Sequence, residues 1–186
     1  SDHGQLAIEL KKNNPKSIIY ASEKNIGPFR NLTSSINESN LDITALNLDG
    51  IKLAPVVDAI VIAGMGGELI RSILFDGKEY LNNHKPALII EPQSKLKECR
   101  KALLELKYEI ITDFYIEERG HYYPIIKAVF NENIIDKGYH EYGYLALKNK
   151  DGVLLKKLNS TLETYQNIKA KEKDVMDLKK VLTKFY

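Results

Sequence analysis

The stretch Val57-Asp58-Ala59-Ile60-Val61-Ile62-Ala63-Gly64-Met65-Gly66-Gly67 decides how this chain is read. Its first seven residues are a short aliphatic run, β-branched at Val57, Ile60, Val61 and Ile62, which is the composition of a strand buried on both faces. Three glycines in the next four positions then stop the strand. Beyond them, over residues 66–75, Leu69, Ile70, Ile73 and Leu74 recur at the spacing of a helix face. A glycine cluster between a buried strand and a helix lets a ligand approach the backbone closely and leaves free N–H groups at the helix start. The same cluster also serves as a plain tight turn.

Working outward, the same alternation repeats. Ser17-Ile18-Ile19-Tyr20-Ala21, Ile43-Thr44-Ala45-Leu46 and Ala87-Leu88-Ile89-Ile90 read as strands, with helical patterns over 4–12, 28–38 and 94–106. Strands separated by helices imply βαβ crossovers, and so an α/β fold with a parallel sheet covered on both sides. The rhythm changes after residue 107. Tyr108–Glu117 and Tyr122–Phe130 are two β-rich runs joined only by Glu118-Arg119-Gly120-His121, a hairpin that adds an antiparallel strand at the sheet edge. Residues 137–150 are rich in Gly and Tyr and lose periodicity, as a linker or lid does. From 151 to 186, Leu155, Leu158, Leu162, Tyr165, Ile168, Val175, Leu178, Val181 and Leu182 form one apolar stripe. It fits one long amphipathic helix, or two antiparallel helices with a break near Lys169–Lys173.

Composition narrows the function classes. The chain has 186 residues, 44% hydrophobic and 28% charged, enough for one domain with a substantial core and a small appendage. Twenty-seven Lys and Arg against 25 Asp and Glu leave a net charge of +2, so any nucleic-acid affinity must come from a local patch. One cysteine, Cys99, excludes an internal disulfide framework and fits a reducing, cytoplasmic setting. Four histidines scattered along the chain make no metal site, and no apolar run reaches the length of a membrane span.

In open α/β sheets, ligands bind outside the carboxyl ends of the strands. Four positions matter on that criterion. Glu23 follows the first strand, where a carboxylate can accept from both hydroxyls of a ribose. Asp49-Gly50 follows the second, where a carboxylate can accept from an adenine amine while glycine admits the backbone. Ala63-Gly64-Met65-Gly66-Gly67 ends the third, and Glu91-Pro92-Gln93 ends the fourth, where it can border an acceptor substrate. Each position also fits an ordinary cap, loop or strand exit. As a series they point to an adenosine-containing ligand. The absence of a G-x-G-x-x-G opening a helix argues against a nicotinamide or flavin site.

A family resemblance agrees with these positions. Ser1-Asp2-His3, Glu23 with Gly27-Pro28-Phe29, Asp49-Gly50, Ile62-Ala63-Gly64-Met65-Gly66-Gly67-Glu68-Leu69-Ile70, and Glu117-Glu118 followed by Tyr123 closely resemble the TrmK-type tRNA (adenine-N1)-methyltransferases, which act on adenine 22 of tRNA. Tyr142-Gly143-Tyr144-Leu145 and the helical stretch from Val153 sit where that family has a C-terminal helical, coiled-coil-like domain. The resemblance implies a Rossmann-like class I methyltransferase sheet over 1–136, using S-adenosylmethionine (SAM), and a linker plus helical domain over 137–186. It also implies a hydrophobic strand and an Asp-x-Gly immediately before Ser1, so that the chain begins after the family's first strand. On the acceptor side the family usually has Gln-Pro-Asn where this chain has Glu91-Pro92-Gln93, and Pro124 stands where Glu is common.

The resemblance further assigns roles. Ser1, His3, Glu23, Asp49, Gly50 and Ala63 to Gly67 would hold SAM. Asp2 would contact the target adenine or balance the cationic product. Glu91, Pro92, Gln93 and Tyr123 would wall the acceptor pocket, although Tyr123 also fits a packed strand aromatic. Lys156 and Lys157, with the other lysines of the tail, would grip tRNA phosphates or form the solvated face of a helix pair. The alternative is a SAM- or nucleotide-binding module that does not methylate tRNA.

Overall fold

A computed structural model describes residues 4–186, so Ser1, Asp2 and His3 lie outside the described residues. The chain divides into two compact units. One comprises the residues up to Val56 together with Asp76–Tyr80, and the other comprises Val57–Phe75 and Leu81–Tyr186.

In the first unit, α1 (Gln5–Asn13), β1 (Ile19–Glu23), α2 (Ile26–Ser39) and β2 (Ile43–Asn47) build a βαβ arrangement. The two strands pair in parallel, Ile19 opposite Ile43 and Glu23 opposite Asn47. Their core is Leu32, Ile36 and Ile43, with Ile8, Ile19, Ala21, Phe29 and Ala45 packed against it. Leu32 and Ile36, one helical turn apart, are the buried residues of α2. Helix α2 stops at Asn40, whose φ of 54° is the left-handed conformation that asparagine tolerates at a helix end.

The second unit carries β3 (Ala59–Gly66), α3 (Gly67–Asp76) as far as Phe75, α4 (Lys78–His84) from Leu81 onward, β4 (Ala87–Ser94), α5 (Leu96–Glu105), β5 (Tyr108–Glu118) and β6 (His121–Phe130). Its sheet has the order β3-β4-β6-β5, with β3 and β4 parallel and β6 antiparallel to both of its neighbours. The hairpin expectation holds, with a tighter turn than the sequence indicated. Only Arg119 and Gly120 connect the strands, both at positive φ (50° and 77°), as a two-residue hairpin turn with the twist of its strands requires. The single parallel sheet expected from the alternation is instead a two-stranded sheet and a four-stranded mixed one. Strand burial also departs from expectation, since β1 alternates between half-buried and exposed residues.

Two helices escaped the sequence pattern. The seven-residue α4 is too short for a visible period, though it buries Tyr80 and Leu81. Within the stretch assigned as linker, α6 (Tyr144–Lys148) buries Ala146 and Leu147. The tail resolves into the second of its two alternatives, α7 (Gly152–Asn167) and α8 (Glu172–Phe185). Helix α7 is capped by Asp151, whose carboxylate accepts from the Leu154 N–H at 2.7 Å. Leu147, Leu154, Leu158 and Leu178 share a core with Tyr115 of β5, so these helices are packed on the hairpin.

A buried ion pair ties the Gly/Tyr segment down. Arg100 of α5 meets Asp113 of β5 through two parallel bonds, Nε to Oδ2 at 2.9 Å and Nη2 to Oδ1 at 3.0 Å, with both side chains 1% exposed. Burial works against the Arg100 charge, and the facing carboxylate outweighs it, so the guanidinium stays protonated. Its Nη1 donates to the carbonyls of His140 and Glu141, while the Tyr115 hydroxyl donates to the carbonyl of Tyr142. A side chain at Gly143, where φ is 93°, would run into Asp113 and Arg100. Removing one partner of such a pair strands the other charge out of water. Asp113→Ala is therefore expected to cost about 3–5 kcal/mol in urea denaturation and to loosen 138–146 toward protease; a loss under about 1 kcal/mol would show that the pair does not hold this segment.

Candidate active site

Parallel pairing places the ends of β1 and β2 level, so Glu23 and the Asn47–Gly50 segment share one rim of their unit. Asn47, which the sequence reading passed over, fastens that rim. Its side-chain amide donates to the carbonyls of Glu23 (2.8 Å) and Lys24 (2.9 Å). The only hint in the sequence is an asparagine at a strand end. Asp49 forms an ion pair with Lys24 at 2.8 Å, and both side chains are about two-thirds exposed. The contact raises the Lys24 pKa, mainly through the hydrogen bond from its ammonium to Asp49. An exposed pair of this kind adds little stability and exchanges partners readily. Asp49 is thus an accessible acceptor. Gly50 follows it with φ 73°, a conformation most side chains resist.

At the corresponding rim of the second unit, β3 leaves its regular ladder. Ala63 pairs with Glu91 and Met65 with Pro92, which skips Gly64, and a further shift precedes the pairing of Gly66 with Ser94. Gly64 sits in the skipped position with φ 76°, where glycine carries no penalty. Its N–H turns to the Glu91 carboxylate and donates to Oε2 at 2.7 Å. The other glycines have a packing reason. A Cβ on Gly67 would collide with the carbonyls of Ser94 and Lys95, and one on Gly66 would lie 3.0 Å from the Ser94 hydroxyl. Gly66 and Gly67 let the exit of β4 pass against the start of α3, while Gly64 shapes the rim itself.

Glu91 shows a local deficit. Its Oε1 is buried and has no hydrogen-bond partner among the described residues. Burial raises the Glu91 pKa above the usual carboxylate range, and the Gly64 N–H only partly opposes that. Pro92 is buried beside it, and Gln93 is exposed with its amide near Gly64.

The remaining predicted residues lie on the hairpin and the tail. Tyr123 of β6 is half-buried opposite Ile116 and leans on the His121 ring at 6.5 Å. Lys156 is held by both oxygens of Glu117 at 2.7 Å. The Lys157 ammonium lies over the Tyr115 ring at 4.9 Å, where burial lowers its pKa. Both lysines therefore already have partners within the chain. Lys179 and Lys180 of α8 are exposed, the latter loosely paired with Asp177 at 3.6 Å. Among the described residues no cluster of three His, Cys, Asp or Glu is placed to hold a metal, and no helix is long and apolar enough to cross a membrane.

The donor set suits SAM, whose ammonium, ribose hydroxyls and adenine amine are all hydrogen-bond donors. At the rim of the first unit, Glu23 and Asp49 are acceptors for such groups. Comparison with known proteins places the chain among tRNA methyltransferases. The family model described as tRNA (adenine(22)-N(1))-methyltransferase, TrmK, matches residues 1–185. A Bacillus subtilis tRNA (adenine(22)-N(1))-methyltransferase is 32% identical over 179 residues, covering 90% of this chain and 74% of that protein. The crystal structure of the B. subtilis m1A22 tRNA methyltransferase TrmK superposes with a TM-score of 0.78 at 29% identity, over all of this chain and 86% of that one. A Streptococcus pneumoniae protein solved in complex with S-adenosyl-L-methionine has the same fold, with a TM-score of 0.83 at 24% identity over 98% of this chain and 86% of its own. With a family match that runs from the first residue to the last but one, and a relative 32% identical over 179 residues, this chain belongs to the TrmK family of tRNA (adenine-N1)-methyltransferases.

Proposed function

We propose that this chain transfers the methyl group of SAM to N1 of adenine 22 in tRNA, with 1–136 holding the methyl donor and acceptor base and 137–186 adding contacts to the tRNA. What carries this reading is that the family match spans residues 1–185 and so includes both strand-end acids and the β3 bulge. Such a protein works where tRNA is, in the cytoplasm.

SAM supplies an electrophilic methyl on a sulfonium. Adenine N1 has an in-plane lone pair, so the attack needs no general base, and the work of the chain is to align the nucleophile with the methyl and keep water away. Glu23 would accept from the ribose hydroxyls and Asp49 from the adenine amine, with Lys24 released or retained beside it. The skipped Gly64 and the adjoining Met65 backbone give the ligand close approach. Ser1 and His3 would complete the donor loop, and Asp2 would meet the target base. Unpairing that base from the folded tRNA costs a few kcal/mol, and Tyr123 with Pro92 and Gln93 would wall the pocket that receives it. Lys156 and Lys157 are engaged within the chain, so the exposed Lys179 and Lys180 are the stronger phosphate contacts.

Incubation with methyl-labelled SAM and unmodified tRNA, followed by nuclease digestion and mass spectrometry, is expected to yield 1-methyladenosine from position 22 alone. SAM binding without any such product would favour a module that does not methylate tRNA. Asp49→Ala is expected to weaken SAM by about 1.5–3 kcal/mol, as for loss of a hydrogen bond to a charged group, read by calorimetry. Unchanged affinity would remove Asp49 from the site.

A further inference from the structure

Glu91 has one oxygen fixed and one unused. Oε2 is held by the Gly64 N–H at 2.7 Å, while Oε1 is shielded from water and has no partner. Burying a carboxyl oxygen without a donor is costly, and native proteins keep few such groups without a reason. The residue as a whole is only half-buried, and the terminal torsion of glutamate is soft, so a small rotation presents Oε1 at the rim.

We propose that Glu91 is the residue that selects the acceptor base, its Oε1 accepting a hydrogen bond from the exocyclic N6 amine of the target adenine. This rests on the tRNA-adenine methylation stated above. Beside N1, adenine carries an N–H donor where guanine carries an acceptor oxygen. A carboxylate accepts and cannot donate, so it attracts the first and repels the second. It also favours the reaction. The N1 lone pair forms the bond to the methyl carbon, the carbon–sulfur bond breaks with its electron pair left on sulfur, and the purine becomes cationic without any proton moving. That charge spreads onto N6, so a hydrogen bond from N6 to a carboxylate strengthens as the bond forms, which is the differential binding that lowers a barrier. A glutamine carbonyl in the same place would keep the direction of the bond and lose the charge.

The test uses two tRNAs, one with adenine at position 22 and one with unsubstituted purine there, which keeps N1 and lacks N6. The wild-type chain is compared with Glu91→Gln and Glu91→Ala. The lower basicity of purine N1 affects all three alike, so the change in preference reads Glu91 alone. The adenine-over-purine ratio of kcat/KM is expected to be about 10–100-fold larger for the wild type than for Glu91→Ala, the range for a hydrogen bond to a charged group, with Glu91→Gln in between. Glu91→Gln keeps an acceptor for the Gly64 N–H, so its thermal melting and SAM affinity should match the wild type, and each variant's rates are compared at saturating SAM. Equal preference in all three would overturn the proposal, as would a fall in SAM affinity that accounts for the lost rate, since Glu91 would then serve the methyl donor. If the wild type leaves both tRNAs unmethylated while binding SAM, the methylation reading itself fails and takes this inference with it.

Discussion

The rim of the second unit depends on one skipped residue, Gly64, where β3 first steps out of register with β4. A regular ladder would spend the Gly64 N–H on pairing and carry Glu91 past it. The skipped residue frees that N–H, and the left-handed backbone aims it at the Glu91 carboxylate. Only glycine adopts this conformation cheaply, and only small residues at Gly66 and Gly67 let the exit of β4 pass so close. The glycine string is thus two devices in sequence, one that shapes a rim and one that packs a helix start.

The second unit supports this rim from behind. Strands β4 and β6 pair Leu88 with Ala128 and Ile90 with Ile126, all four fully buried, which fixes the register in which Glu91 emerges. On the hairpin side, Arg100 and Asp113 convert a stretch with little hydrophobic pattern into an ordered one by binding its carbonyls. Tyr115 links the same segment to α7, its hydroxyl donating to Tyr142 and its N–H to Asp151. Structural lysines follow from this packing. Lys156 and Lys157 lie where α7 crosses the hairpin, and their charges are met there.

The legible parts of the fold were those with a strong local signal. The aliphatic run at Val57–Ala63 with its glycines, the β-rich pair around Arg119-Gly120, and the tail stripe through Leu158 and Leu178 each carry their own periodicity. What escaped has none. Helix α4 and helix α6 are five to seven residues long, shorter than two turns, and are set by tertiary burial of Leu81 and Leu147. The division of the strands between two sheets was not visible either, because pairing partners are a long-range property. At the site, the strand-end rule located Glu23, Asp49, Gly64 and Glu91 correctly at carboxyl ends. It could not show that Asn47 fastens the first rim, that Lys24 occupies Asp49, or that one oxygen of Glu91 lacks a partner, since each depends on side-chain placement.

Under the proposed function, the acidic ends of β1 and β2 and the glycine-bearing end of β3 each contact the methyl donor. Amide hydrogen exchange with and without S-adenosylhomocysteine tests it most directly. Slowed exchange is expected at 22–25, 47–50 and 63–66, with α7 and α8 unaffected. Protection confined to the tail, or absent from the β3 bulge while the ligand is bound, would contradict it.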